Sequence, residues 1–176
     1  MKNKITVKRM VLDAIMLSLL CVIGMFSLPL GANIKVSLQL LMVFIICLIV
    51  PSFVDCLLIT GLYLLFGLFL PIYAGFSAGI TPTFGYVISF VIISPIIFLI
   101  NKIPKVIPPL RMAFACLMGL IVCYVIGTIF MMLYLNWDLQ STILMSVAPY
   151  LPFDIAKIVI ATLVVMVLPK NLIEEK

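Results

Sequence analysis

The chain has 176 residues, of which 66% are hydrophobic and 10% are charged. A soluble domain is about half apolar and about a quarter charged, so this composition excludes a soluble globular enzyme. Histidine, the commonest general base and transition-metal ligand, is absent. The sequence also lacks a Walker-type phosphate loop. We therefore expect a lipid bilayer as the natural solvent, with no metal, no cofactor and no nucleic-acid partner, and we assign the net charge of +5 to membrane topology.

Six apolar runs predict six transmembrane helices, because a helix needs about 20 apolar residues to cross a hydrocarbon core of about 30 Å. Proline- and glycine-rich segments separate the runs, and little chain is left for a soluble domain. We expect residues 1–176 to form a single membrane domain, an all-α, six-helix bundle. The predicted spans cover about residues 10–28, 36–50, 54–70, 84–100, 110–135 and 152–168.

Lysine and arginine are distributed unevenly between the two ends of this bundle. One end carries Lys2, Lys4, Lys8, Arg9, Lys102, Lys105, Arg111, Lys170 and Lys176, which are nine of the 11 basic residues. The opposite end carries Lys35, and Lys157 lies within the last span. Because cytoplasmic loops carry an excess of basic residues, we expect both termini in the cytoplasm.

Asp154 and Lys157 are the most informative polar residues of the predicted spans. An ionisable side chain at mid-membrane costs about 2.5–3.5 kcal/mol on insertion scales, and such residues usually face a cavity or each other. The i, i+3 spacing places both on one helix face, and Pro152 suits the first turn. One interpretation is an internal ion pair that only holds the helix. We favour a ligand site in which Lys157 binds a carboxylate and Asp154 accepts N–H donors.

The remaining polar residues support weaker predictions. Ser52 and Asp55 have the spacing of a capping box, so we expect Asp55 to cap the third span. Asp13 is expected to form a surface ion pair beside Lys8 and Arg9. Tyr124 and Thr128 are more typical of interhelical hydrogen bonds than of ligand contacts. Ala14 and Ser18 place small residues four apart on the first span, which suits close helix packing, either within the bundle or against a separate membrane partner.

Two motifs occur together in this chain, Pro-Thr-x-Gly-Tyr within residues 82–90 and Pro-x-Asp-x-x-Lys within residues 149–157. With these motifs, and with segments 36–43, 62–79 and 124–127, the chain resembles the BioY family from about Ala14 to Leu168. Members of this family are the biotin-specific substrate-binding (S) components of energy-coupling-factor (ECF) vitamin transporters.

The resemblance implies a six-helix S component in a bacterial cell membrane, with both termini in the cytoplasm. It implies capture of biotin at the outer face and delivery to the cytoplasm, together with a membrane coupling subunit and two ABC-type ATPases. The S component itself is not expected to be an enzyme. Ala14 and Ser18 stand at the two positions of the family's Ala-xxx-Ala docking pattern, with serine in place of the second alanine. The expected ligand contacts are Asp154, Lys157, Tyr86, Gln39, Tyr73, Phe84, Asn33 and Thr83.

Two alternatives remain open. Thr81 and Phe84 stand where many relatives have glycine, and this departure motivates the alternative of an S component for another small carboxylate, such as lipoate or a biotin precursor. An intramembrane enzyme would need a catalytic dyad within the bilayer. Without histidine, that dyad would have to include Lys157, paired with Asp154 or with a serine.

Overall fold

The computed structural model describes residues 7–29, 35–104 and 106–168 of the chain. Within these residues the chain forms seven helices and a two-stranded antiparallel sheet. The helices are α1 (Val7–Met25), α2 (Gln39–Ile49), α3 (Phe53–Phe69), α4 (Phe84–Asn101), α5 (Pro108–Leu135), α6 (Leu139–Ser146) and α7 (Leu151–Val167). The strands are β1 (Ser27–Pro29) and β2 (Lys35–Ser37).

The all-α architecture is confirmed, and each predicted span contains one helix. The described residues nevertheless hold seven helices rather than six, because residues 139–146, predicted as a connection, form α6. Asp138 caps this helix by accepting a hydrogen bond from the backbone N–H of Ser141 at 3.0 Å. The segment expected to join the first two spans also differs, because it includes the short β1–β2 hairpin.

Two helices within the described residues, α4 and α5, are each long and apolar enough to cross a membrane. The pair α6 and α7 also meets this criterion as a single unit, bent by 50° at its break. α2 and α3 are apolar but shorter, and α1 carries Lys8, Arg9 and Asp13. The six-span topology therefore stays a prediction.

α2 lies at the centre of the bundle. Nine of its 11 residues are buried, and it packs against α1, α3, α4 and α7. A helix that is apolar around its whole circumference has no face suited to water, so it is stable only when neighbours surround it. This central position places Gln39, the first residue of α2, in the interior of the protein.

Glycines allow α4 and α5 to approach closely. A Cβ atom added at Gly127 would lie 2.2 Å from the ring of Tyr86, and one added at Gly119 would lie 2.6 Å from Ile97. These separations are shorter than any van der Waals contact, so neither position accommodates a side chain without movement of its neighbour. The close approach holds Tyr86 against the backbone of α5.

Arg9 and Asp55 form a buried ion pair that joins the N-terminal ends of α1 and α3. Nε and Nη2 of Arg9 donate to the two carboxylate oxygens of Asp55, at 2.7 and 2.6 Å. The prediction that Asp55 caps α3 is wrong in this respect, because its carboxylate binds a guanidinium 46 positions away. Ser52 caps α3, since its hydroxyl accepts from the backbone N–H of Val54 at 3.3 Å.

Candidate functional site

Asp154 and Lys157 form an ion pair in the interior of the protein. Nζ of Lys157 donates to Oδ1 of Asp154 at 2.6 Å, and the two residues are 7% and 5% exposed. Pro152 lies in the first turn of α7, and Asp154 follows it there. A carboxylate is favoured in this first turn because the backbone N–H groups make the helix N-terminus electropositive. Both side chains lie on the buried face of α7, as their i, i+3 spacing predicts.

Tyr124 supplies a second donor to the same carboxylate. Its hydroxyl donates to Oδ2 of Asp154 at 2.6 Å, from the neighbouring helix α5. Both oxygens of Asp154 are therefore hydrogen-bonded, one to a cation on its own helix and one to a neutral hydroxyl on another. The prediction of an interhelical hydrogen bond for Tyr124 is confirmed. Its acceptor, however, is the carboxylate at the centre of the candidate site.

Tyr86 extends this group of polar side chains toward α6. Its hydroxyl donates to Oγ of Ser146 at 3.0 Å, and Ser146 donates in turn to the backbone carbonyl of Thr142 at 2.8 Å. The Tyr86 ring lies against Gly127, three residues after Tyr124 on α5. Side chains from α4, α5, α6 and α7 thus converge here. The first group of polar side chains thus consists of Tyr86, Tyr124, Ser146, Asp154 and Lys157.

Gln39 belongs to a second group, which joins the start of α2 to α3. Its Nε2 donates to the hydroxyl of Tyr63, and that hydroxyl donates to the carbonyl of Ile72 at 2.9 Å. The hydroxyl of Ser37 donates to Oε1 of Gln39 at 3.1 Å. The amide of Gln39 is therefore held in one orientation, with partners on β2 and α3. Tyr63 was not among the predicted site residues, although a tyrosine in an apolar helix needs such a partner.

Tyr73 and Phe84 form part of a buried run of aromatic rings. The Tyr73 ring lies against Gly67, and its hydroxyl donates to the carbonyl of Leu64 at 2.7 Å. The ring centroids of Tyr73 and Phe84 are 6.2 Å apart, and Phe84 meets Phe130 at 5.9 Å. Aromatic rings at such separations provide a rigid apolar surface.

Backbone hydrogen bonds hold the segment 71–83 over the ends of α1 and α3. The N–H of Gly75 donates to the carbonyl of Met25 at 2.9 Å, and the N–H of Gly79 donates to the carbonyl of Gly67 at 2.8 Å. Both Gly75 and Gly79 have a φ of 73°, a conformation that glycine adopts without strain. The segment is thus a folded cover rather than an extended linker.

The remaining predicted site and docking residues are either exposed or outside the described residues. Thr83 is exposed, and its hydroxyl is hydrogen-bonded to that of Thr81 at 3.1 Å. Asn33 lies outside the described residues. Ala14 and Ser18, the predicted docking residues, are exposed on α1, where the Ser18 hydroxyl donates to the carbonyl of Ala14 at 2.8 Å.

The sequence matches the family model described as BioY family over residues 1–174. The chain belongs to the BioY family. This BioY-family chain is therefore a membrane protein of a transporter family, and the resemblance seen in its motifs is confirmed. Comparison with curated proteins gives no match.

The fold of this BioY-family chain is also found in a solved structure. That protein is described as the S-component for biotin from an ECF-type ABC transporter, in a crystal structure at 2.1 Å. The two folds agree with a TM-score of 0.81 and 22% sequence identity, over 94% of this chain and 92% of the other. At this identity the likeness establishes the shared fold alone.

Proposed function

We propose that this BioY-family chain is the biotin-binding S component of an ECF-type ABC transporter. It captures the vitamin at the outer face of the membrane and delivers it toward the cytoplasm. The observation that carries the proposal is the buried Asp154–Lys157 pair, which Tyr124 completes from α5. Placing two full charges inside an apolar protein has a large desolvation cost, and such pairs in membrane proteins are typical of substrate sites.

Biotin has chemical groups that match both members of the pair. Its valeryl carboxylate suits Lys157, whose ammonium group has three N–H donors and gives one to Asp154. Its ureido ring carries N–H donors, which suit the carboxylate of Asp154. One ligand with an anionic end and a donor-rich end thus addresses both charges, so no covalent chemistry and no cofactor are required.

We propose further contacts with the other predicted site residues. The rings of Tyr73 and Phe84 offer an apolar wall for the thioether ring and the valeryl chain. Gln39 and Tyr86, whose polar groups are already oriented by hydrogen bonds, serve as secondary polar contacts. We also retain Asn33 and Thr83 as ligand contacts contributed by the outer segments.

The partners that we propose are a membrane coupling subunit and two ABC-type ATPases, which would hydrolyse ATP while this subunit binds the vitamin. The exposed small residues Ala14 and Ser18 are proposed as the docking site, because small side chains allow another helix to approach closely. The distribution of basic residues supports a bacterial plasma membrane location with both termini in the cytoplasm.

A second candidate is an S component for another small carboxylate, such as lipoate. The supporting observation is in the segment before α4, where Thr81 and Thr83 are hydrogen-bonded to each other. This arrangement leaves fewer polar groups of that segment to recognise a ureido ring, whereas recognition of a carboxylate by Lys157 is unaffected.

Competition binding and ligand identification distinguish the two candidates. Protein purified in detergent is expected to retain a small molecule with the mass of biotin when cells are grown with biotin. In competition experiments, unlabelled biotin should displace labelled biotin at a lower concentration than lipoate does. Tighter binding of lipoate than of biotin would favour the second candidate function.

A further inference from the structure

We infer that Tyr124 is a positioning residue of the ligand site, which holds the Asp154 carboxylate when Lys157 turns to the ligand. The inference rests on the proposed function, because it concerns how the same site accepts an anionic ligand. The Tyr124 hydroxyl lies 2.6 Å from Oδ2 of Asp154, and Nζ of Lys157 lies 2.6 Å from Oδ1. The two donors therefore occupy different oxygens and do not compete.

The two donors also differ in what they can do when a ligand arrives. Lys157 carries its charge on a flexible four-carbon stem and lies on the same helix as Asp154, so its ammonium group can move toward a ligand carboxylate. Tyr124 donates from α5, with a rigid ring, and the close packing of α4 on Gly127 fixes this part of α5. Its hydrogen bond to Asp154 can persist while Lys157 moves.

Splitting the ion pair is the costly step of binding in this site. A buried carboxylate that loses its cation keeps its charge in a medium of low dielectric constant, and the loss is severe unless other donors remain. Tyr124 supplies one such donor, and the ligand's own N–H group supplies another. Without the tyrosine hydroxyl, Asp154 would retain Lys157 more strongly and compete with the ligand's carboxylate for it.

A tyrosine hydroxyl suits this role because it is neutral. A second cation beside Asp154 would stabilise the carboxylate but would also attract the ligand's anionic end away from Lys157. The hydroxyl stabilises Asp154 without adding a charge. The arrangement thus favours a ligand that carries both a carboxylate and N–H donors.

Replacement of one hydroxyl group tests the inference. Tyr124→Phe should weaken biotin binding about 10- to 100-fold, the range expected for one hydrogen bond to a charged group. The matched control is Tyr134→Phe on the same helix, where an exposed hydroxyl donates to the carbonyl of Ile80 at 3.5 Å. This control should bind biotin like the unmodified protein. Equal affinities for the two variants would overturn the inference.

Introducing Tyr124→Phe into an Asp154→Asn variant separates a positioning role of Tyr124 from a general effect on folding. Tyr124→Phe should lose most of its effect on biotin affinity when it is introduced into Asp154→Asn, because the charge that it positions is then absent. Equal fold-losses in both backgrounds would show that Tyr124 acts elsewhere and would overturn the inference.

Biotin binding by the unmodified protein distinguishes a failure of the proposed function from a failure of the inference about Tyr124. If the folded, unmodified protein binds no biotin, the proposed function fails. The hydrogen bond between Tyr124 and Asp154 is then tested without ligand, by melting temperatures. Four proteins are compared: the unmodified chain, Tyr124→Phe, Asp154→Asn and the double variant. Non-additive changes in these temperatures support a coupling between Tyr124 and Asp154, and additive changes contradict it.

Discussion

The ammonium group of Lys157 lies 2.6 Å from Oδ1 of Asp154, and each side chain is 8% exposed. The two side chains form a buried ion pair inside a chain with very few charged residues. This pair has two consequences. Removing one member leaves the other as an unpaired buried charge, which destabilises the protein. The pair also offers both a cation and an anion to a ligand that can separate them.

Removing only one member of this pair should destabilise the protein. We expect Lys157→Met to lower the free energy of unfolding by about 3–5 kcal/mol, because Asp154 is left as an unpaired buried charge. The double variant Asp154→Leu/Lys157→Met should recover much of this loss, since no charge remains buried. Chemical unfolding in detergent measures both values. A single variant as stable as the unmodified protein would show that the pair is not a buried unit.

The close contact between α4 and α5 should be sensitive to a single methyl group. Gly127→Ala places a Cβ atom 2.2 Å from the Tyr86 ring, so Tyr86 must move away from its contact with Ser146. We expect a destabilisation of about 1–3 kcal/mol, as for other overpacked cores, together with weaker ligand binding.

Gly61→Ala is the matched control for this substitution. Its Cβ atom would meet nothing within 4 Å, so we expect unchanged binding and equal or higher thermal stability. If Gly127→Ala behaved like Gly61→Ala in a thermal melt, the packing of Tyr86 on α5 would be contradicted.

The buried pair between Arg9 and Asp55 should depend on the shape of the guanidinium group as well as on its charge. Arg9→Lys retains the charge but loses the bidentate geometry, so we expect a partial loss of stability. Arg9→Met should cost more, about 3–5 kcal/mol, because Asp55 is left buried without its cation.

Lys8→Met provides the control for Arg9, because Lys8 is the exposed neighbour on the same helix. It should leave the melting temperature nearly unchanged. The melting temperature should be highest for Lys8→Met, lower for Arg9→Lys and lowest for Arg9→Met. Equal melting temperatures for the Arg9→Met and Lys8→Met proteins would contradict the buried pair.

The cover formed by residues 71–83 should loosen when its aromatic anchor loses a hydrogen bond. Tyr73→Phe retains the ring against Gly67 but removes the donor to the carbonyl of Leu64. We expect a loss of about 1 kcal/mol and faster cleavage within this segment by a protease added to the ligand-free protein. Unchanged cleavage would show that the hydroxyl does not hold the cover in place.

Local features of the site could be predicted from the sequence. The i, i+3 spacing of Asp154 and Lys157 fixes their common helix face, whatever the rest of the bundle does. The apolar runs likewise locate the long helices, because burial in lipid requires an uninterrupted apolar stretch. Even α6 had a local signal, since Asp138 is a favoured N-cap residue.

Contacts between distant helices could not be predicted in the same way. The Tyr124–Asp154 contact joins residues 30 positions apart, and the Arg9–Asp55 pair spans 46 positions. Each depends on how far one helix is rotated and shifted against another, which is decided by packing such as that at Gly127 and Gly119. Hydropathy places a helix in the membrane but does not fix these rotations.

The central claim, a biotin site built on Lys157, is tested most directly by calorimetric titration of biotin into the folded, purified protein and its Lys157→Met variant. We expect saturable binding to the unmodified protein and a loss of about 100-fold or more in the variant, because the ligand's carboxylate and Asp154 would both lack a cation. Lys102→Met, which removes a cation lying over the Phe98 ring, should bind like the unmodified protein. A folded, unmodified protein that binds no biotin at micromolar concentration, or a Lys157→Met variant with unchanged affinity, would contradict the claim.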